Sequence, residues 1–99
     1  MVTLSEQDVV RELKSLNNGW SLEGKAIKKQ FTFNNFPAAV AFVSRLVPEC
    51  ESADHHPDIL INYRRVTLTY STHSEDALTQ KDFDGAAMAD RHARGSDGA

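Results

Sequence analysis

The chain has one cysteine, three prolines, five glycines, one tryptophan and no long apolar run. Each scarcity removes a class of protein. A lone Cys50 closes no internal disulfide and leaves no thiolate pair for a metal. A membrane-spanning helix needs roughly 18 consecutive apolar residues, and nothing here approaches that. The opening Met1-Val2-Thr3-Leu4-Ser5-Glu6 lacks the basic and apolar regions of a secretory signal, so a cytoplasmic location is expected. Basic charge is thin as well: 11 Lys and Arg face 14 Asp and Glu, for a net charge of -3. The basic residues are spread along the chain, and the pairs Lys28-Lys29 and Arg64-Arg65 read as solvated strand and turn positions. No electrostatic footprint for nucleic acid or membrane results. No repeat, linker or low-complexity segment breaks the chain.

What is present is ordinary globular composition, 40% apolar and 25% charged over 99 residues. That is enough for one modest core and too little for two. Residues 1–93 are expected to form one domain and 94–99 a frayed tail.

Ser5 is a helix N-cap, with Glu6 and Asp8 in the first turn and Val9, Leu13 and Leu16 at helical spacing. Asn17-Asn18-Gly19 ends that helix. Trp20-Ser21-Leu22 is a short strand, turned by Glu23-Gly24 into a second over residues 26–33. There Ile27, Phe31 and Phe33 share one face, with Lys28, Gln30 and Thr32 on the other. Asn34 or Asn35 caps a second helix whose apolar stripe is Phe36, Ala39, Val40, Val43, Leu46, Val47 and Cys50. Pro48 inside it predicts a kink or a tightened last turn. Strands over 59–63 and 66–72 form a second hairpin across Arg64-Arg65, with Val66, Leu68 and Tyr70 on one face. If the latter strand continues, His73 joins Thr67, Thr69 and Ser71 on the other. Thr79 opens a third helix with Phe83, Ala86 and Ala87 as its apolar side. The order α-β-β-α-β-β-α predicts an α+β fold, a four-stranded antiparallel sheet with helices on one face. The strand order stays open.

The specific signal runs from Glu51 to Asp82. Three residues separate Glu51 from His55-His56-Pro57, and Tyr63, His73 and Asp82 follow at fixed spacings. Together with Asn18-Gly19-Trp20, Lys29-Gln30-Phe31 and Ser71-Thr72-His73, this resembles the pterin-4a-carbinolamine dehydratase family from about Leu4 to Ala93. The resemblance implies a hydro-lyase that converts 4a-hydroxytetrahydrobiopterin to quinonoid dihydropterin and water, recycling the pterin of aromatic amino-acid hydroxylases. It implies His55, His56 and His73 as the catalytic histidines. Asp54, His55 and His56, with Ser71, Thr72, His73 and Ser74, are the implied substrate contacts, and Glu51 and Asp82 the implied support. His56 and His73 are assigned to proton transfer and His55 to gripping the substrate. Histidine suits proton transfer because its ordinary pKa, about 6.5, keeps both forms populated near neutrality. No hydride, phosphate or electron moves, so no cofactor and no metal is expected. The implied partners are the pterin and further copies of the chain, as a dimer or tetramer. Family members also serve as dimerisation partners of transcription factors, and some relatives act as assembly factors after losing the histidines, so a non-catalytic binding module is the alternative. The chain departs from the family pattern at Pro48, Ile59, Ser74 and Ala77.

Each residue also has a plainer reading. His55 and His56 could simply end a helix, where histidine suits the dipole. A zinc site built on three histidines with Glu51 and Asp54 is disfavoured, because adjacent side chains point apart. Thr79-x-x-Asp82 imitates a capping box. Cys50 reads as a small buried hydrophobe, Tyr63 as core and His92 as solvated. Trp20 could wall a pocket or staple the hairpin.

Overall fold

The computed structural model describes residues 3–16 and 19–94. Three helices, α1 (Glu6–Leu16), α2 (Phe36–Ala53) and α3 (Gln80–Arg94), and four strands, β1 (Ser21–Glu23), β2 (Ala26–Thr32), β3 (Asp58–Asn62) and β4 (Arg65–Tyr70), follow in the order α-β-β-α-β-β-α. All strand pairs are antiparallel and the sheet order is β1-β2-β4-β3. Residues 17, 18 and 95–99 lie outside the described residues, so the expected asparagine end of α1 and most of the expected tail are not among them.

Helix starts follow capping chemistry. The Ser5 hydroxyl accepts from Asp8 N at 3.1 Å, and the Asp8 carboxylate accepts from Ser5 N at 3.4 Å, satisfying donors that α1 cannot. Asn35 caps α2, its side-chain oxygen accepting from Ala38 N at 2.9 Å. The helix then runs without a break through Pro48 to Ala53.

One sheet face is apolar by strand alternation: Ile27 and Phe31 on β2 stand opposite Tyr70 and Val66 on β4. These residues, with Phe33, Phe42, Leu46, Leu68, Phe83, Ala86 and Ala89, form the core beneath the helices. Lys29 shares that face, between Ile27 and Phe31, and is buried rather than solvated. Its ammonium meets Asp90 of α3 at 2.8 Å and lies over the Phe31 ring, while Trp20 Nε1 donates to the other Asp90 oxygen at 3.0 Å. Trp20 is thus the staple between the hairpin and α3.

The α2 stripe is rotated from its expected position. Ala39, Phe42, Leu46 and Cys50 are buried, whereas Phe36, Val40 and Val47 are exposed. Apolar residues occupy both flanks of this helix, so a fitted stripe straddles two faces of which the core takes one. Tyr63 is also corrected: it sits in the turn between β3 and β4 with φ 56 and is 65% exposed. The hairpin turn is therefore Tyr63-Arg64, one residue earlier than expected.

Candidate functional site

The end of α2 and the end of β4 create the site. After Ala53 the chain turns through Asp54, in the left-handed region with φ 51. Asp54 N donates to Glu51 O at 3.2 Å and His55 N to Cys50 O at 3.1 Å, the paired bonds of a Schellman closure. The closure stops the helix abruptly and sends His55, His56 and Pro57 into β3.

Asp58 of β3 pairs with Thr69 of β4, so the entry to β3 and the exit of β4 share one end of the sheet. Beyond Tyr70 the strand does not continue to His73. Thr72 forms an isolated bridge with Ala77, and His73–Glu75 makes a single 3-10 turn closed by Asp76 N to His73 O at 3.2 Å. The β1–β2 turn clamps this segment. Ser71 Oγ donates to the Lys25 carbonyl at 2.9 Å, and Lys25 Nζ meets Asp76 at 2.8 Å. That ammonium holds the Asp76 carboxyl below its usual pKa.

At the centre is Asp82, in the first turn of α3 and fully buried. One carboxylate oxygen bonds His55 Nε2 at 2.6 Å. The other accepts from Thr72 Oγ1 at 2.8 Å and from Thr79 N at 3.0 Å. The Thr72 and Thr79 hydroxyls are themselves 2.8 Å apart. Asp82 therefore both caps α3 and bonds His55. The His55 ring also lies nearly parallel to that of buried Tyr70, centroids 6.0 Å apart.

His56 is engaged separately, Nε2 to Glu51 Oε2 at 2.6 Å, in a solvated pair. Adjacent in sequence, the two histidines face different spaces. His55 opens on a groove of about 370 Å³ between α2 and α3, lined also by Tyr70, Lys81, Gly85 and Met88. His56 borders a cavity of about 180 Å³ with Leu46, Val47, Pro57 and Ile59. His73 is exposed on its turn and lines neither. The structure thus ties His55, Thr72 and Asp82 together and pairs His56 with Glu51. It leaves His73, Asp54 and Ser74 exposed. Among the described residues no three His, Cys, Asp or Glu side chains cluster as a metal-ligand set.

Thr79, Tyr70 and Gly85 were not legible as site residues. Only the capping pattern at Thr79 pointed there, since Tyr70 read as a strand residue on the apolar face with Val66 and Leu68, and Gly85 drew no reading. His92 is not simply solvated, for its Nε2 pairs with Glu49 across α2 and α3.

The sequence profile described as pterin 4 alpha carbinolamine dehydratase matches residues 2–92. A protein of Sulfolobus acidocaldarius, provisionally named a pterin-4-alpha-carbinolamine dehydratase, is 44% identical over 81 residues, 82% of this chain and 88% of its own. One of Chloroflexus aurantiacus with the same provisional name is 46% identical over 90 residues, 91% of this chain and 96% of its own. A Brucella melitensis structure titled transcriptional coactivator/pterin dehydratase superposes with a TM-score of 0.88 at 33% identity, covering 93% of this chain and 99% of that one. A pterin dehydratase-like protein described as a RuBisCO assembly factor shares the fold, with a TM-score of 0.67 at 23% identity, covering 79% of this chain and 93% of that one.

Proposed function

The chain belongs to the pterin 4 alpha carbinolamine dehydratase family, and on that premise we propose that it dehydrates 4a-hydroxytetrahydrobiopterin or a close pterin relative. In this reaction the N5 lone pair expels the 4a-hydroxyl, which leaves as water once protonated. The N5 proton then departs to give the quinonoid dihydropterin. The chemistry needs an acid near the 4a oxygen, a base near N5 and groups that hold the pterin edge. Every proton step lies within reach of imidazole, so the reading requires no metal or cofactor.

His56 and His73 carry the proton transfers in this reading, and His55 grips the substrate. Glu51 orients His56, and Asp82 orients His55. Asp54, Ser71, Thr72 and Ser74 contact the pterin, Thr72 through its backbone because its hydroxyl is spent on Asp82. The observation that supports the reading best is the His55–Asp82 bond: a fully buried carboxylate committed to one imidazole at 2.6 Å, where α2 meets β3. A histidine that merely ended a helix would need no such partner. Such a site would recycle the pterin left by an aromatic amino-acid hydroxylase, in the cytoplasm. The exposed apolar stripe of Phe36, Val40 and Val47, with β1 and β3 as open sheet edges, supports a homo-oligomer.

Alanine substitution tests the assignment. His56→Ala and His73→Ala should each lower turnover about 10²- to 10⁴-fold, and His55→Ala should mainly raise KM. Folded variants that dehydrate substrate at the parental rate would refute it.

A further inference from the structure

The hydroxyl chain behind Asp82 has a direction. Thr79 is wholly buried, Thr72 nearly so, and their oxygens are 2.8 Å apart. A hydroxyl has one proton to give. Thr72 gives its proton to Asp82, so its oxygen can only accept from Thr79. The Thr79 amide donates to the same carboxylate oxygen. One Asp82 oxygen thus receives two donors, and the other is left to His55 Nε2 alone. An ionised carboxylate accepts and cannot donate, so His55 must carry its proton on Nε2. His55 Nδ1 has no hydrogen-bond partner among the described residues and is not sealed from solvent.

We infer that the Asp82 carboxylate fixes the His55 tautomer so that Nδ1 is the only ring nitrogen His55 offers to substrate, and that Thr79 is a positioning residue which, through Thr72, fixes how that carboxylate is turned and so where Nδ1 points. Neutral His55 is then an acceptor in the pocket and takes an N–H of the bound heterocycle, as a gripping residue for a pterin should. This step rests on the dehydratase reading only for the identity of what Nδ1 meets. The direction of the hydroxyl chain stands without it.

The arrangement makes a sharp demand on Asp82→Asn. Two donors, Thr72 Oγ1 and Thr79 N, would hold the amide oxygen at their side. The amide nitrogen would then face His55 and donate to Nε2, driving the proton to Nδ1. Thr79→Val keeps side-chain shape but removes the donor that holds the Thr72 hydroxyl in its orientation toward Asp82, while Thr79→Ser keeps it.

The experiment is nitrogen-15 NMR of the histidine rings in the substrate-free chain, at a pH well above the ordinary histidine range of about 6.5, with KM and kcat measured alongside. Expected are an Nε2–H His55 in the parent, in Thr79→Ser and in Thr79→Val, whose Asp82 still only accepts, and Nδ1–H in Asp82→Asn. KM should rise several-fold in Thr79→Val, on the order of one hydrogen bond or about 5-fold, with kcat little changed and Thr79→Ser restoring it. An Nδ1–H His55 in the parent would overturn the inference even if Thr79→Val failed to fold. So would a folded Thr79→Val with a parental KM. Ring shifts as expected in a parent that dehydrates nothing would leave the tautomer lock standing and sink the proposed reaction instead.

Discussion

Lys29 Nζ lies 2.8 Å from Asp90 Oδ1 with both side chains almost wholly buried, and this pair joins the second strand to the last helix. Because Trp20 donates to the other Asp90 oxygen, one carboxylate ties both β2 and the residue that leads into β1 to α3. Removing one partner strands a charge in the core. Asp90→Ala should cost about 3–5 kcal/mol in urea unfolding. The double variant Lys29→Met/Asp90→Asn keeps an acceptor for Trp20 and should recover most of that loss. A loss below about 1 kcal/mol in Asp90→Ala would show that the pair is not buried as described.

Gly85 is the only residue that fits where it stands. A Cβ built there would fall 2.5 Å from Tyr70 Cε1. Gly85→Ala should therefore destabilise by about 1–3 kcal/mol through overpacking, despite its better helix propensity. Tyr70→Leu in the same chain removes the clashing atoms and should restore stability. Thermal unfolding of the two variants checks this; a stabilised single variant would contradict it.

The Tyr70 hydroxyl is the buried side-chain polar atom without a hydrogen-bond partner among the described residues. The neighbouring Cys50 thiol is at best a weak one. Burial pushes the Tyr70 pKa well up, with Cys50 and Asp82 adding to the effect. The unfolded chain releases this proton near about 10 while the native chain holds it. Stability should thus be undiminished by this group below that pH and should fall as pH rises above it, because the unfolded state then binds fewer protons. Tyr70→Phe should flatten that alkaline fall and leave neutral-pH stability equal or higher, the unpaired hydroxyl costing about 1–3 kcal/mol. Urea titrations from pH 8 upward, about two units either side of the ordinary tyrosine value, make the comparison. An unchanged alkaline slope in Tyr70→Phe would count against it.

Cys50 should behave as a core residue. Burial raises its pKa, with Glu49 and Glu51 adding to the effect. Since the thiolate is the reactive form, labelling by a disulfide reagent should be slow in the native chain and fast in denaturant. Rapid stoichiometric labelling of folded protein would place the thiol at the surface.

The element order was legible because hydrophobic periodicity and capping residues agreed nearly everywhere. Ser5, Asn35 and the alternation of Val66, Leu68 and Tyr70 each stand where their chemistry requires. Three features escaped. Lys29 sits on the apolar face, and its partner Asp90 is 61 residues away, so no local pattern marks it. Phe36, Val40 and Val47 are as apolar as the core stripe of α2, and only packing tells the two flanks apart. Tyr63 looked like strand core, but the left-handed turn takes it to the surface. At the site, motif spacing named the histidines, Glu51 and Asp82. The reason Asp82 serves His55 lay in the third dimension, where β4 brings Thr72 against Thr79 at the start of α3.

The most direct test of the central claim is stopped-flow decay of freshly generated 4a-hydroxytetrahydrobiopterin, followed in the ultraviolet with and without the protein. The account predicts a first-order decay that accelerates in proportion to protein concentration, yields quinonoid dihydropterin, and returns close to the spontaneous rate when His56 and His73 are both alanine. Decay at the spontaneous rate at every concentration of the folded parent chain would contradict it.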